Sequence, residues 1–235
     1  MKIGILQCDD VLEQLQPEFG NYPQMFQQLL DQVADDLSYQ TYDVRIGQYP
    51  ENINECDGYI TTGSRYGVND GLAWVDRLEE FVRELYKAGK PFVGICFGHQ
   101  LLAKALGGAV EKSPKGWGAG VSFNEVKEQK SWMQPEQTAL DLVVSHQDQI
   151  CKLPEDAEVL AASQFCPQYM IQVGQHMLGI QGHPEFSRAY SAALTETRRD
   201  RIPANRVREA FNSLNADVDD LTATRWIVNF IRQAQ

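Results

Sequence analysis

The segment Gly94-Ile95-Cys96-Phe97-Gly98-His99-Gln100 most tightly limits the fold of this chain, because it has to turn from strand to helix within a few residues. The apolar run Pro91-Phe92-Val93 precedes it, and the helix-like Leu101-Leu102-Ala103-Lys104-Ala105-Leu106 follows. A sharp strand-to-helix elbow tolerates little bulk beside its apex, and glycines stand two residues to either side of Cys96. A side chain at such an apex projects from the carboxyl edge of a sheet at a helix N-terminus, where unpaired amides and the helix dipole favour a thiolate. Taken alone, the same residues also fit a buried structural cysteine beside a glycine-rich turn.

Around the elbow the first half of the chain alternates strand and helix. Lys2–Gln7, Tyr39–Val44, Tyr59–Thr62 and Pro91–Ile95 read as strands, and Pro23–Leu37, Leu72–Ala88 and Gln100–Leu106 as helices. In the clearest helix Val75, Leu78, Val82 and Leu85 step by three and four along one face, while Arg77, Glu79, Glu80 and Arg83 fall elsewhere. This series predicts an α/β fold, a mostly parallel twisted sheet flanked by helices, with the ligand site beyond the carboxyl ends of the strands. Short β-like runs follow at Val121–Val126, Leu140–Ser145, Val159–Ala162 and His176–Gln181, and a small antiparallel β extension is expected beside the parallel sheet. Helices are expected over Ser187–Arg199, Asn205–Leu214 and Leu221–Arg232. No linker interrupts the pattern, so residues 1–235 are expected to form a single domain with extra C-terminal helices over 187–235.

A cysteine nucleophile needs a base, and the chain offers four histidines. His99 lies in the first turn after the elbow, where its side chain is expected to point away from the thiol into packing or solvent. His176, in Gly174-Gln175-His176-Met177, reads as a surface residue of a hairpin turn. His183, in Gly182-His183-Pro184-Glu185, follows an apolar strand and precedes a helix, again at a carboxyl edge. Pro184 keeps His183 extended, and in an extended chain residues i and i+2 share a face, so Glu185 can fix the imidazole tautomer and stabilise its cation.

Together Cys96 in Gly-Ile-Cys-Phe-Gly-His-Gln, the following Leu-Leu-Ala-Lys-Ala-Leu-Gly-Gly and the later Gly-His-Pro-Glu resemble the class I (triad-type) glutamine amidotransferases. Within that superfamily the chain looks most like the stand-alone branch related to the glutaminase domain of GMP synthase, which includes γ-glutamyl peptidases. Gly20-Asn21-Tyr22-Pro23-Gln24-Met25-Phe26, Thr62-Gly63-Ser64 with Trp74, and Lys115-Gly116-Trp117 carry the likeness to that branch. The resemblance implies the family's flavodoxin-like fold, Cys96 as nucleophile, His183 as base and then acid, and Glu185 as its orienting group. It implies hydrolysis of the glutamine side-chain amide through a γ-glutamyl thioester, releasing ammonia. It implies an oxyanion hole from the backbone N–H of Phe97 and of Gly63 or Ser64. Gln100 matches a substrate-contacting position, and Ser145-His146-Gln147-Asp148 resembles the segment that grips the α-amino and α-carboxylate groups of glutamine. In that segment Ser145, His146 and Asp148 are the candidate contacts, with the Asp148 carboxylate for the ammonium. A polar turn between strands is the plain alternative there.

Arg65 stands where many relatives carry proline after Gly-Ser, and no phosphate-binding loop follows, so no acceptor site is expected on this chain. Three readings stay open: a glutaminase subunit feeding a separate synthetase, a stand-alone γ-glutamyl peptidase acting on glutathione-like compounds, or a non-catalytic binding homologue. Lys115, Trp117 and Trp74 are left outside the site, and the basic cluster Arg198, Arg199 and Arg201 reads as a solvated helix end, with contact to an acidic partner or a second substrate carboxylate as the alternative. A net charge of −11 argues against nucleic acid and anionic membranes as partners. The five cysteines, Cys8, Cys56, Cys96, Cys151 and Cys166, are odd in number and lack CxxC spacing, so neither a disulfide framework nor a metal cluster is expected. No cofactor is implied. Without a signal-like or membrane-spanning apolar stretch, a cytoplasmic protein acting on a small molecule is expected.

Overall fold

The computed structural model describes residues 1–234; Gln235, the end of the expected C-terminal helical segment, lies outside the described residues. In chain order the first half contains β1 (Lys2–Gln7), α1 (Gln16–Phe19), α2 (Tyr22–Leu30), β2 (Ser38–Asp43), β3 (Gly58–Thr61), α3 (Ala73–Ala88), β4 (Phe92–Ile95) and α4 (Phe97–Ala105). The middle contributes β5 (Ala109–Lys112), β6 (Gly118–Ser122), β7 (Glu125–Val126), β8 (Leu142–His146), β9 (Asp148–Lys152), β10 (Ala157–Ala162), β11 (Met170–Val173) and β12 (Met177–Ile180). Helices α5 (Arg188–Glu196), α6 (Ala204–Ser213) and α7 (Asp220–Gln233) complete the chain.

The main sheet has eight strands in the order β2-β1-β3-β4-β12-β11-β10-β7. The first five run parallel, and β11, β10 and β7 extend them antiparallel. Two small antiparallel pairs, β5 with β9 and β6 with β8, stand apart from that sheet. Strand alternation divides the core. Ile3, Ile5, Ile60 and Val93 face α2 and α7, where Phe26, Trp226 and Phe230 cover them. Leu6, Tyr59 and Phe92 face Leu78, Phe81 and Val82 of α3 and Leu101 of α4 on the other side. A third cluster joins Tyr22, Val121, Val143, Phe186, Tyr190 and Leu194, fastening α5 against β6 and β8.

The structure corrects several expected boundaries. Helix α2 begins in a capping box, in which the Asn21 side chain accepts from the Tyr22 N–H and the Gln24 side chain accepts from the Asn21 N–H. It stops at Leu30 and not Leu37: residues 31–37 leave the helix in turns and bends, with Val33, Ala34 and Leu37 still packed against the core. Helix α4 starts at Phe97, three residues before the expected Gln100, since the first turn is buried on all sides and shows no amphipathic pattern. The expected run Val121–Val126 breaks in two, with β6 pairing to β8 and β7 joining the main sheet.

Trp226 fastens α7 to the sheet: it is fully buried, and its indole Nε1 donates to Pro135 O at 2.9 Å. Trp226→Ala is therefore expected to lower the unfolding free energy by about 3–5 kcal/mol. Urea denaturation with intact secondary structure before the transition checks this; a loss under about 1 kcal/mol would show that α7 contributes little to the core.

Candidate active site

Three neighbouring parallel strands end at one edge of the sheet. Ile60 of β3 pairs with Val93 of β4, and Ile95 of β4 with Ile180 of β12, so residues 61–64, 96–98 and 181–185 emerge side by side. Cys96 sits at the apex after β4 with φ 50° and ψ −94°, the one non-glycine residue with positive φ among the described residues. The flanking glycines are required by contact. A Cβ on Gly94 would lie 2.3 Å from Gly98 O, and one on Gly98 would lie 1.7 Å from Thr61 Oγ1. The Cys96 N–H donates to Ile180 O at 2.8 Å, which ties the elbow to β12.

His183 is held from four directions. Its N–H donates to Val143 O at 2.8 Å, and its ring stacks on Phe186 with centroids 3.8 Å apart and planes 7° apart. Its Cε1 lies 2.7 Å from where a Gly63 Cβ would stand. Its Nδ1 lies 2.7 Å from Glu185 Oε1. A carboxylate oxygen can only accept, so Nδ1 carries the hydrogen and Nε2 is left for the Cys96 sulfur. Burial disfavours the imidazolium, but the charges of Glu185 and Cys96 and their hydrogen bonds overcome it and raise His183 to about 10. Glu185 is itself fully enclosed, and its Oε2 has no hydrogen-bond partner among the described residues.

The expected oxyanion segments stand on either side of this pair. The backbone N–H groups of Gly63, Ser64 and Phe97 donate to no protein acceptor among the described residues. Arg65 settles the loop's shape in a way proline could not. Its N–H donates to Asp9 Oδ2 at 2.8 Å, its Nε also donates to that carboxylate at 2.8 Å, and the neighbouring Ser64 Oγ donates to Cys8 O at 3.2 Å. The loop is thereby bound to the segment following β1.

A cavity of about 330 Å³ opens in front of Cys96 and is lined by Ser64, Gln100, Ser145, His146 and Asp148 together with residues missed from the sequence. Asp148 is half-buried. Burial raises its pKa, Lys112 lowers it and Asp70 raises it. Asp70 and Asp148 converge at Gly67, with carboxylate oxygens 3.1 and 3.2 Å from where its Cβ would stand. His146 is neutral: burial lowers it to about 4, and its Nδ1 donates to Asp148 O at 3.1 Å. Gln100 faces the cavity, yet its amide nitrogen donates to Asp148 O at 2.8 Å and Gln181 Oε1 at 3.1 Å. Gln181 in turn donates to Cys96 Sγ at 3.4 Å, a contact no motif signalled.

Other expectations change. Arg198 does not face solvent: it is half-buried in the cavity wall, donates to Ser145 Oγ at 2.6 Å, and lies 5.9 Å from the centre of the Trp117 ring. Trp117, left out of the site above, therefore lines it, whereas Trp74 packs against Phe97. Arg199 does remain on the surface, paired with Glu196 at 2.6 Å. His99 is fully buried, and burial lowers it to about 3 although the backbone of Gln168 and Gly179 lies beside its ring and favours the cation. His176 is half-buried and not on the open surface, stacked on Tyr86 with its Nε2 3.0 Å from Tyr86 O. Among the described residues no group of three or more His, Cys, Asp or Glu side chains could hold a metal ion, and no helix is long and apolar enough to cross a membrane. All five cysteines are free.

A family model for class-I glutamine amidotransferases matches residues 21–195. γ-Glutamyl peptidase 4 of Arabidopsis thaliana is 30% identical over 179 residues, covering 72% of this chain and 70% of that protein. One subunit of the glutamine-hydrolysing GMP synthase of Archaeoglobus fulgidus is 31% identical over 170 residues, covering 70% of this chain and 85% of that one. A glutamine amidotransferase structure from Thermotoga maritima superposes with a TM-score of 0.74 over 98% of this chain and 96% of its own, at 19% identity, which is a likeness of fold.

The raised His183 makes a signed prediction. Its folded value lies above the ordinary 6.5, so its contribution to stability is complete below that pH and is lost as pH rises through about 10. The stability difference between the wild type and His183→Gln is expected to shrink from about pH 7 to about pH 10. Parallel denaturant titrations check it, and a pH-independent difference would contradict the ion pair.

Proposed function

Because this chain belongs to the class-I glutamine amidotransferase family of enzymes, we propose that it hydrolyses γ-glutamyl amides through a thioester on Cys96. The carrying observation is the convergence of the Cys96 sulfur, the His183–Glu185 pair at 2.7 Å and three unpaired backbone N–H groups at one sheet edge. The Cys96 thiol proton passes to His183 Nε2 as the sulfur bonds to the γ-carbonyl carbon of the substrate, and the carbonyl oxygen takes the negative charge facing the N–H groups of Phe97 and of Gly63 or Ser64. As the tetrahedral species collapses, the C–N bond breaks and His183 Nε2 gives its proton to the departing amine, ammonia when the substrate is glutamine. Water then attacks the thioester with His183 as base, releasing glutamate and the Cys96 thiol. Glu185 keeps Nδ1 protonated and the ring aligned throughout.

The substrate's α-ammonium is assigned to Asp148 and Asp70, whose carboxylates converge at one end of the cavity. The likeness to an archaeal GMP synthase subunit supports ammonia delivery to a separate synthetase, and the Arabidopsis relative supports peptide cleavage. Both readings run through the same thioester.

Purified protein supplied with L-glutamine is expected to release ammonia and, on acid quench, to carry a glutamyl adduct on Cys96 detectable by mass spectrometry. Cys96→Ser is expected to lose about 10³-fold or more in turnover. His183→Ala is expected to lose about 10²–10⁴-fold. Glu185→Gln is expected to lose less than His183→Ala, because Glu185 does not itself move the transferred proton. Wild-type turnover by Cys96→Ser would remove the nucleophile assignment.

A further inference from the structure

The catalytic cavity carries more positive charge than a glutamine side chain and its zwitterionic head require. Four cations line it, Arg65, Lys112, Arg198 and Arg201, against the two carboxylates Asp70 and Asp148. Asp9 pairs with Arg65 at 2.8 Å. Lys112 acts on Asp148, at the end where the two carboxylates meet. Neither Arg198 nor Arg201 has an acidic partner within ion-pairing distance among the described residues.

Arg198 is also positioned in advance. One nitrogen is held by Ser145 Oγ and the guanidinium rests against Trp117, so little freedom remains to be lost when an anion arrives. Burial lowers its pKa by more than the neighbouring groups raise it. A planar guanidinium in this state suits a carboxylate, which it can grip with two parallel hydrogen bonds.

We propose that Arg198, with Arg201 beside it, reads a carboxylate on the leaving-group side of the substrate, so that the site favours γ-glutamyl amino acids and peptides with a free carboxylate over uncharged γ-glutamyl amides. The inference rests on the γ-glutamyl hydrolysis proposed above and names its substrate class. Asp70 and Asp148 take the ammonium of the γ-glutamyl head, and the surplus cation on the wall formed by the turn after α5 meets the second carboxylate.

Calorimetric titration of the Cys96→Ala protein separates binding from turnover. The probes are γ-L-glutamyl-L-alanine and its C-terminal carboxamide, which differ only in the charge to be read. The acid is expected to bind about tenfold or more tighter than the amide, as one charge-assisted hydrogen-bond pair allows. In Cys96→Ala/Arg198→Met the ratio is expected to fall to near one, with binding of the amide reporting an intact cavity. Cys96→Ala/Arg198→Lys, which keeps the charge without the planar fork, is expected to give an intermediate ratio and carries the test if the methionine variant does not fold. An unchanged ratio in the Arg198 variants, or no binding of either probe, overturns the assignment. If neither probe binds while the wild type releases ammonia from glutamine, the hydrolysis stands and the role of Arg198 falls. Preferential binding of the acid without any turnover by the wild type would preserve Arg198 and remove the hydrolysis.

Discussion

The parallel pairing of β4 with β12 is the constraint on which the site depends. Ile95 and Ile180 are neighbours in the sheet though far apart in the chain, and only their register brings the Cys96 elbow beside the Gln181–Glu185 segment. A slip of one residue would turn every β12 side chain to the opposite face of the sheet. The fully buried strand residues Leu178 and Ile180 therefore act on the chemistry by fixing where two loops begin. The antiparallel pairing of β11 on the far side of β12 and the bridge from Val143 to His183 hold the same segment laterally.

The sequence shows the parts of this arrangement that obey local rules. Glycines at 94 and 98 announce an elbow because only hydrogen fits there, and Pro184 between His183 and Glu185 announces an extended pair on one face. The clear 3.6-residue periodicity of 72–88 gives a helix observed over 73–88. What escapes depends on distant chain. Gln181 is an ordinary polar residue until β12 lies beside β4, and Asp70 is an ordinary loop acid until Gly67 brings it to Asp148. Arg198 reads as surface charge because its helix end resembles any other basic terminus; only the placement of β8 and Trp117 turns it inward. Helix α4 starts early for a related reason, since a first turn enclosed on every side leaves no amphipathic trace.

Electrostatically the site is built from matched and unmatched charges. Asp9 is nearly fully buried and is balanced by Arg65 at 2.8 Å and, more distantly, Arg45 at 3.9 Å. His183 and Glu185 balance each other in a space that excludes water. Two further imidazoles, His99 and His146, are buried nearby, and burial lowers both below the ordinary imidazole value. The net charge of −11 over the whole chain coexists with a cavity in which cations outnumber acids, and the local balance is the one a bound molecule meets.

The cluster of Phe186, Tyr190 and Leu194 does more than support an imidazole. Phe186 stacks on His183, Tyr190 packs against Phe186 at 4.6 Å, and the same helix leads to Arg198 just past its end. His183 and the Arg198 part of the cavity wall are thus mounted on a single short stretch of chain, while Cys96 is mounted on another. Such a layout is modular: exchanging the segment from α5 to Ile202 between related chains would transplant the Arg198 part of the wall, while the elbow, the register and the His183–Glu185 pair stayed where they are.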